Sequence, residues 1–242
     1  MTITKGISII NDGVGEAGAL VSGGLVGITV NAGPNDRVSL RGLTVKGIGF
    51  GGGNGIRLSG GKSLTIENCA VRNLTGDAVQ VLSDMPANST TSFTMSNTLV
   101  SDTDANGIYF RPTGSGNLVA TLSRVEVYNN GAHGIGVDGG ASAVNARMRV
   151  IVADSVISNN GLSGVAASTL PGTGQAHASV YRSVIVHNQN GVFGESFFAS
   201  VSIGGSIVEN NVTSMGGLVF SFGDNYWTNF TEPTFQNTFA KK

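Results

Sequence analysis

The chain has 242 residues, 40% of them hydrophobic and 12% charged, with a formal net charge of −1. It is therefore long enough to bury a sizeable core, and it carries no charge excess that would draw it to nucleic acid or to an acidic membrane surface. Cys69 is the only cysteine, which excludes an internal disulfide, a thiolate metal cluster and a Cys-x-x-Cys redox pair.

Residues 1–30 lack a basic start followed by a long apolar run, so no export signal is read there. No stretch approaches the ~18 consecutive apolar residues of a membrane span. Met1-Thr2-Ile3-Thr4 opens directly on a strand-like pattern, and residues 1–24 read as an incomplete N-terminal coil. No plug precedes Ile3, Ile7 and Ile9, so unpaired strand edges are expected at this end, a template for self-association.

Residues 25–220 repeat. Short segments with apolar ends recur at 40–45, 66–71, 95–100, 122–127, 152–157, 180–185 and 203–208. From Leu40 to Ile203 there are 163 residues over six intervals, a mean of about 27, the scale of one supersecondary unit per repeat. A second anchor follows each segment, a small residue before an aliphatic one: Gly27-Ile28, Gly55-Ile56, Ala78-Val79, Gly107-Ile108, Gly134-Ile135, Gly164-Val165, Gly191-Val192 and Gly217-Leu218. β-branched residues at alternate positions indicate strands, and no window sustains a 3.6-residue period.

Within the first anchor the outer pair points inward, as with Ile66 and Val71. The central inward position is often small: Cys69, Thr98, Ser155, Ser183, Ser206. No such unit buries its apolar face alone, so coils must stack at the inter-strand spacing, giving a rod about 40 Å long. Between the anchors runs a third column: Asn73, Asp102, Asn129, Asn159, His187 and Asn210. Asn tolerates left-handed backbone angles and bonds neighbouring peptides, so this column predicts a buried ladder at a corner. Residues 221–242 hold Phe222, Tyr226, Trp227, Phe230, Phe235 and Phe239 and read as an aromatic-rich C-terminal cap over the last coil. The sum is an all-β, single-domain parallel β-helix of about eight coils spanning 1–242.

The run Val127-Tyr128-Asn129-Asn130-Gly131-Ala132-His133-Gly134-Ile135 resembles the repeat of the pectin-lyase-like superfamily, and more narrowly of bacterial right-handed β-helix repeat proteins. The resemblance implies a right-handed solenoid and favours an extracytoplasmic location. It leaves activity open, because this fold hosts lyases, hydrolases, epimerases and binding proteins.

Lyases on this fold gather carboxylates around calcium beside an Arg or Lys base. Here the nearest match is Asp77, Asp102 and Asp104 with Arg57 and Arg111. Asp102 falls in the corner column, however, so turn carboxylates bonding their own backbone are preferred. No cofactor is expected, with Ca2+ at those three aspartates as the alternative. The adjacent aspartates and Arg-x-Lys of polygalacturonase-like hydrolases are missing. His133-Gly134 reads as a turn, and the histidines match no zinc spacing. The glycines around Asn54 precede no helix that could hold a phosphate.

Outward positions beside the second anchor align Arg57, Gln80 and Tyr109, with Arg111 and Asp138 close by, and read as a sugar-binding surface. A Ser/Thr column, Ser39, Thr65, Thr94, Thr121, Ser179 and Ser202 broken by Ile151, reads as an ordinary exposed strand face. The leading expectation is a non-catalytic module that binds extended polysaccharide or serves as an extracytoplasmic structural or adhesion element. The alternatives are a lyase or hydrolase acting on polyuronates, and a self-associating scaffold.

Overall fold

The computed structural model describes residues 1–13, 15–48 and 52–228. Among these the chain forms no helix. Three parallel sheets of nine strands each run along the molecule: the about eight coils read from the period, preceded by the strands of residues 1–24. Sheet 1 starts with Thr2–Ile3 and Val26–Asn31, sheet 2 with Ile7–Ile10 and Arg37–Arg41, and sheet 3 with Gly18–Val21 and Thr44–Gly47. Each later coil adds one strand to each sheet in that order. The strands of residues 1–24 thus occupy an edge of all three sheets, where Ile7, Ile10 and Leu20 are exposed.

Alternation explains why these residues make strands. In Asn117–Ser123 the side chains of Leu118, Ala120 and Leu122 are buried while Val119 and Thr121 face outward. The same half-buried pattern in every coil stacks aliphatic ladders such as Leu40, Ile66, Met95, Leu122, Val152, Val180 and Ile203 into one continuous core. The Ser/Thr column Ser39, Thr65, Thr94, Thr121, Ile151, Ser179 and Ser202 lies in register on the outside of sheet 2.

Two corners turn the chain, each on a left-handed residue. Between sheets 2 and 3 these are Gly42, Asn68, Asn97, Arg124, Asp154, Arg182 and Gly205, with φ between 46° and 70°. The residue that follows is buried, and where it bears a hydroxyl it is an acceptor for the neighbouring coil. The Val125, Ser155 and Ser183 N–H groups donate to the hydroxyls of Ser155, Ser183 and Ser206 at 3.2, 3.2 and 3.1 Å. This is why the central position of the first anchor is often small and polar: there the side chain meets a peptide N–H rather than a methyl.

The other corner corrects the sequence reading. Asn73, Asp102, Asn129, Asn159, His187 and Asn210 all have positive φ, and all are exposed. The buried ladder stands one residue later, at Thr103, Asn130, Asn160, Asn188 and Asn211. The Asn130, Asn160 and Asn188 amides donate through Nδ2 to Oδ1 of Asn160, Asn188 and Asn211 at 2.8, 2.9 and 3.0 Å. Thr103 Oγ1 donates to Asn130 Oδ1 at 2.9 Å. Counting two residues on from an inward Val places the inward side chain correctly only along an extended strand. A left-handed residue reverses the alternation, so the next side chain enters the core. The exposed residues form a shorter outer stack, Asn159 to Asn129 to Asp102, at 2.7 and 3.1 Å.

The buried amides also account for the glycine of the second anchor. A Cβ on Gly164 would lie 2.6 Å from Ile185 Cγ2, 2.8 Å from the Gly191 carbonyl and 3.0 Å from Asn188 Nδ2. Gly107, Gly134 and Gly191 face the same obstruction from Asn130, Asn160 and Asn211. Glycine at this position lets the ladder pack against the following strand. Of the proposed C-terminal cap, Trp227 packs partly buried against the core and Phe222 stacks on Tyr181 at 6.1 Å. Phe230, Phe235 and Phe239 lie outside the described residues.

Candidate functional site

The outward face of sheet 1 is where the sequence placed a polar and aromatic strip. In Val79–Val81 and Ile108–Phe110 the flanking residues are buried, which turns Gln80 and Tyr109 outward. Arg57 is next to Gln80, Gln80 next to Tyr109 and Tyr109 next to Gly136 in the strand register. Phe110 anchors the strand beneath, meeting Phe93 edge to face at 5.4 Å.

Hydrogen bonds tie these side chains together. Arg57 Nε donates to Gln80 Oε1 at 2.8 Å, and Gln80 Nε2 donates to Asp77 Oδ2 at 2.6 Å. Tyr109 Oη donates to Asp138 Oδ2 at 2.8 Å, Arg111 Nε reaches the same oxygen at 3.1 Å, and the Gly140 N–H takes Oδ1 at 2.7 Å. The structure therefore joins all five residues read as a sugar-binding surface into two bonded groups, one with Arg57 and Gln80 and one with Tyr109, Arg111 and Asp138. Burial, the hydrogen bond to Asp138 and the charge of that carboxylate push the Tyr109 phenol well above its usual range.

Glycine shapes the floor. A Cβ on Gly136 would lie 3.0 Å from Tyr109 Cδ2 and 3.8 Å from His133 Cδ2, so two rings flank a position that has no side chain. Further along the same column Ala166 is followed by Phe193, whose Cδ2 would be 2.8 Å from a Cβ on Gly216. Two half-buried aromatic rings thus lie over glycines three coil steps apart, about 14 Å along the axis.

One wall of this face is a third ladder, which the sequence reading missed. The Asp77 N–H donates to Asn54 Oδ1 at 2.9 Å, Asn106 N–H to Asp77 Oδ1 at 2.8 Å, His133 N–H to Asn106 Oδ1 at 3.1 Å and Ser163 N–H to His133 Nδ1 at 3.2 Å. His133, read as a surface turn, is a half-buried acceptor, and burial lowers its pKa. The signal was present as a polar residue just before most of the second anchors, but Asn54, Asp77, Asn106, His133 and Ser163 share a role rather than a residue type.

That ladder also separates the aspartates weighed as metal ligands. Asp77 is buried with both oxygens occupied, Oδ1 also taking Asn106 Nδ2 at 2.9 Å. Asp102 sits at the far corner, accepting from Ser101 and Asn129, and Asp104 is exposed beyond it. Among the described residues no three His, Cys, Asp or Glu side chains are grouped to hold a metal ion. A separate concavity of about 570 Å3 fills the angle between sheets 2 and 3, lined by corner residues including Asn68, Asn97 and Arg124. Its polar groups serve the turns: Arg124 Nε, for example, donates to Asn97 Oδ1 at 2.7 Å.

Three stacked parallel sheets with inward ladders at two corners define a parallel β-solenoid. Residues 26–240 match the family described as right handed beta helix region, and the chain belongs to that family. The handedness implied by the 127–135 repeat follows from this membership. No curated protein matches the chain. Among solved structures it is similar to the Dettilon tailspike protein gp208, at 12% identity and a TM-score of 0.44, with 92% of this chain and 54% of the tailspike chain covered. It therefore spans about half the length of the tailspike chain. It is also similar to the A-module of the Azotobacter vinelandii mannuronan C-5 epimerase AlgE4, at 13% identity and a TM-score of 0.42, covering 97% of this chain and 91% of that one.

Proposed function

We propose that this β-helix binds an extended polysaccharide along the outward face of sheet 1. The observation that carries the reading is the Tyr109 ring held over Gly136 by its bond to Asp138, between the Arg57–Gln80 pair and His133. An aromatic face beside fixed amide, guanidinium and carboxylate groups is the arrangement that recognises a sugar's apolar face and hydroxyls. Binding is favoured over turnover by how the titratable groups are spent. Asp77 and Asp138 accept bonds on both oxygens, the Tyr109 phenol is held protonated, and His133 Nδ1 is occupied by a peptide N–H. None of them is free to act as a general base.

A glycan array followed by calorimetry on the best neutral and uronate oligosaccharides tests the reading. Wild-type binding is expected, with loss of about tenfold in Tyr109→Ala, the scale of one aromatic contact. Absence of binding across the array, or a Tyr109→Ala variant that binds normally, refutes it. Release of unsaturated uronate or new reducing ends would replace it with the lyase or hydrolase alternative.

A further inference from the structure

Sheet 2 carries a second surface of different chemistry. Its strand Arg147–Ala153 points Arg147 and Arg149 outward while Met148, Val150 and Val152 enter the core. Two residues apart on one face, the guanidinium stems leave the sheet about 6.7 Å from each other. Arg149 lies beside Val119 on one side and His177 on the other, and Arg147 beside Asn117 and Gln175. His177 in turn is bonded through Nδ1 to Ser200 Oγ at 2.9 Å. A concavity of about 260 Å3 runs here, lined by Thr90, Asn117, Leu118, Val119, Arg147 and Arg149.

The charge is uncompensated. The five neighbouring strands Thr90–Ser96, Asn117–Ser123, Arg147–Ala153, Gln175–Tyr181 and Ala199–Gly204 contain no Asp or Glu. Arg41, Arg111 and Arg182 pair with Asp12, Asp138 and Asp154, but neither Arg147 nor Arg149 takes part in an ion pair among the described residues. Two guanidinium forks on a flat sheet, with amide, imidazole and hydroxyl donors in the adjoining coils, suit oxyanions such as carboxylates presented at intervals along a chain. A polyphosphate is a poorer match, because nucleic-acid affinity accumulates over many cationic contacts and this chain has only 14 Lys and Arg against 15 Asp and Glu.

We propose that Arg147, Arg149 and the donors around them form a binding site for the carboxylates of an acidic polysaccharide. The site lies on a different sheet from the Tyr109 strip and stands independently of that reading. Calorimetry with polygalacturonate, its fully methyl-esterified form and a single-stranded oligonucleotide tests it. Wild-type protein should bind polygalacturonate in a salt-sensitive way and bind the ester at least tenfold more weakly. Arg147→Ser/Arg149→Ser should lose about tenfold or more in polygalacturonate affinity, the scale of charge-assisted bonds. Arg182→Ser, whose partner is Asp154, should bind like wild type, and Tyr109→Ala should keep the salt-sensitive component. If the double variant melts lower, Arg149→Gln alone carries the comparison. Equal binding of ester and acid, a double variant that binds normally, or an oligonucleotide bound as tightly as polygalacturonate overturns the proposal. Failure of the sheet 1 reading would instead show as Tyr109→Ala indifference toward neutral glycans.

Discussion

Replacing Asn160 by Ala tests the corner at its most loaded point. Asn160 Oδ1 accepts both the Asn130 N–H at 3.2 Å and Asn130 Nδ2 at 2.8 Å, and its own Nδ2 donates to Asn188 Oδ1 at 2.9 Å. Truncation strands two donors on Asn130 and removes one of the donors to Asn188, all in a region with 2–3% exposure or less. Each buried polar group left unsatisfied costs about 1–3 kcal/mol, so a loss of roughly 3–5 kcal/mol is expected. The neighbouring Asn159→Ala breaks one exposed bond and puts Ala at φ 51°, for roughly 1–2 kcal/mol, and Asn159→Gly removes most of that strain. Urea denaturation of the three variants, with amide exchange to locate the opening coil, provides the measurement. Equal destabilisation by Asn159→Ala and Asn160→Ala, or an Asn160→Ala loss below about 1 kcal/mol, would refute the assignment of the ladder to the second Asn.

Gly164→Ala should cost about 1–3 kcal/mol in the same assay, since its methyl would press on Ile185, the Gly191 carbonyl and Asn188; a neutral outcome would mean the coils can separate there. His133 has a folded pKa below its unfolded value of about 6.5, so the folded state binds fewer protons between the two. Stability is then complete above about pH 6.5 and declines as pH falls from there, and His133→Asn, which keeps a side-chain acceptor for Ser163, should flatten that acid limb in melting curves. The Tyr109 phenol is raised, so the folded state keeps its proton above the unfolded value of about 10; stability is full below that pH and falls as pH climbs past it. Asp138→Asn should bring the late component of the tyrosinate absorbance titration back toward the ordinary range, and an unchanged titration would show that burial alone sets it.

The fold was legible because a solenoid writes its geometry once per coil. Ile66, Met95 and Leu122 repeat a position, and the repeat distance alone requires stacking. The error of one residue at the corner has an equally local origin. In Asn129-Asn130 and Asn159-Asn160 both residues are Asn, one chosen for its tolerance of left-handed angles and the other for its amide, and composition does not say which points inward. Coils without the Asn pair would have discriminated: after Asn73 and Asp102 come Leu74 and Thr103, buried, which marks the second position as the inward one. Alignment of Arg57, Gln80 and Tyr109 followed from register, whereas the bonds through Asp77 and Asp138 depend on how far each side chain reaches across the sheet, which alternation does not give.

The two outward surfaces can differ sharply on one scaffold. The core fixes only the inward half of each strand, so Arg57, Gln80 and Tyr109 on sheet 1 and Val119, Arg149 and His177 on sheet 2 are free of its constraint while inheriting its spacing of about 4.8 Å. A solenoid coil contacts only its neighbours, so a defect introduced at Asn160 should open the coils next to it and leave Arg57 and Gln80, several coils away, in register. Local damage to the ladder and loss of ligand on the outer face are therefore separable events. A variant that loses binding without losing exchange protection in its own coil places the lesion in the surface chemistry, and the reverse pattern places it in the corner.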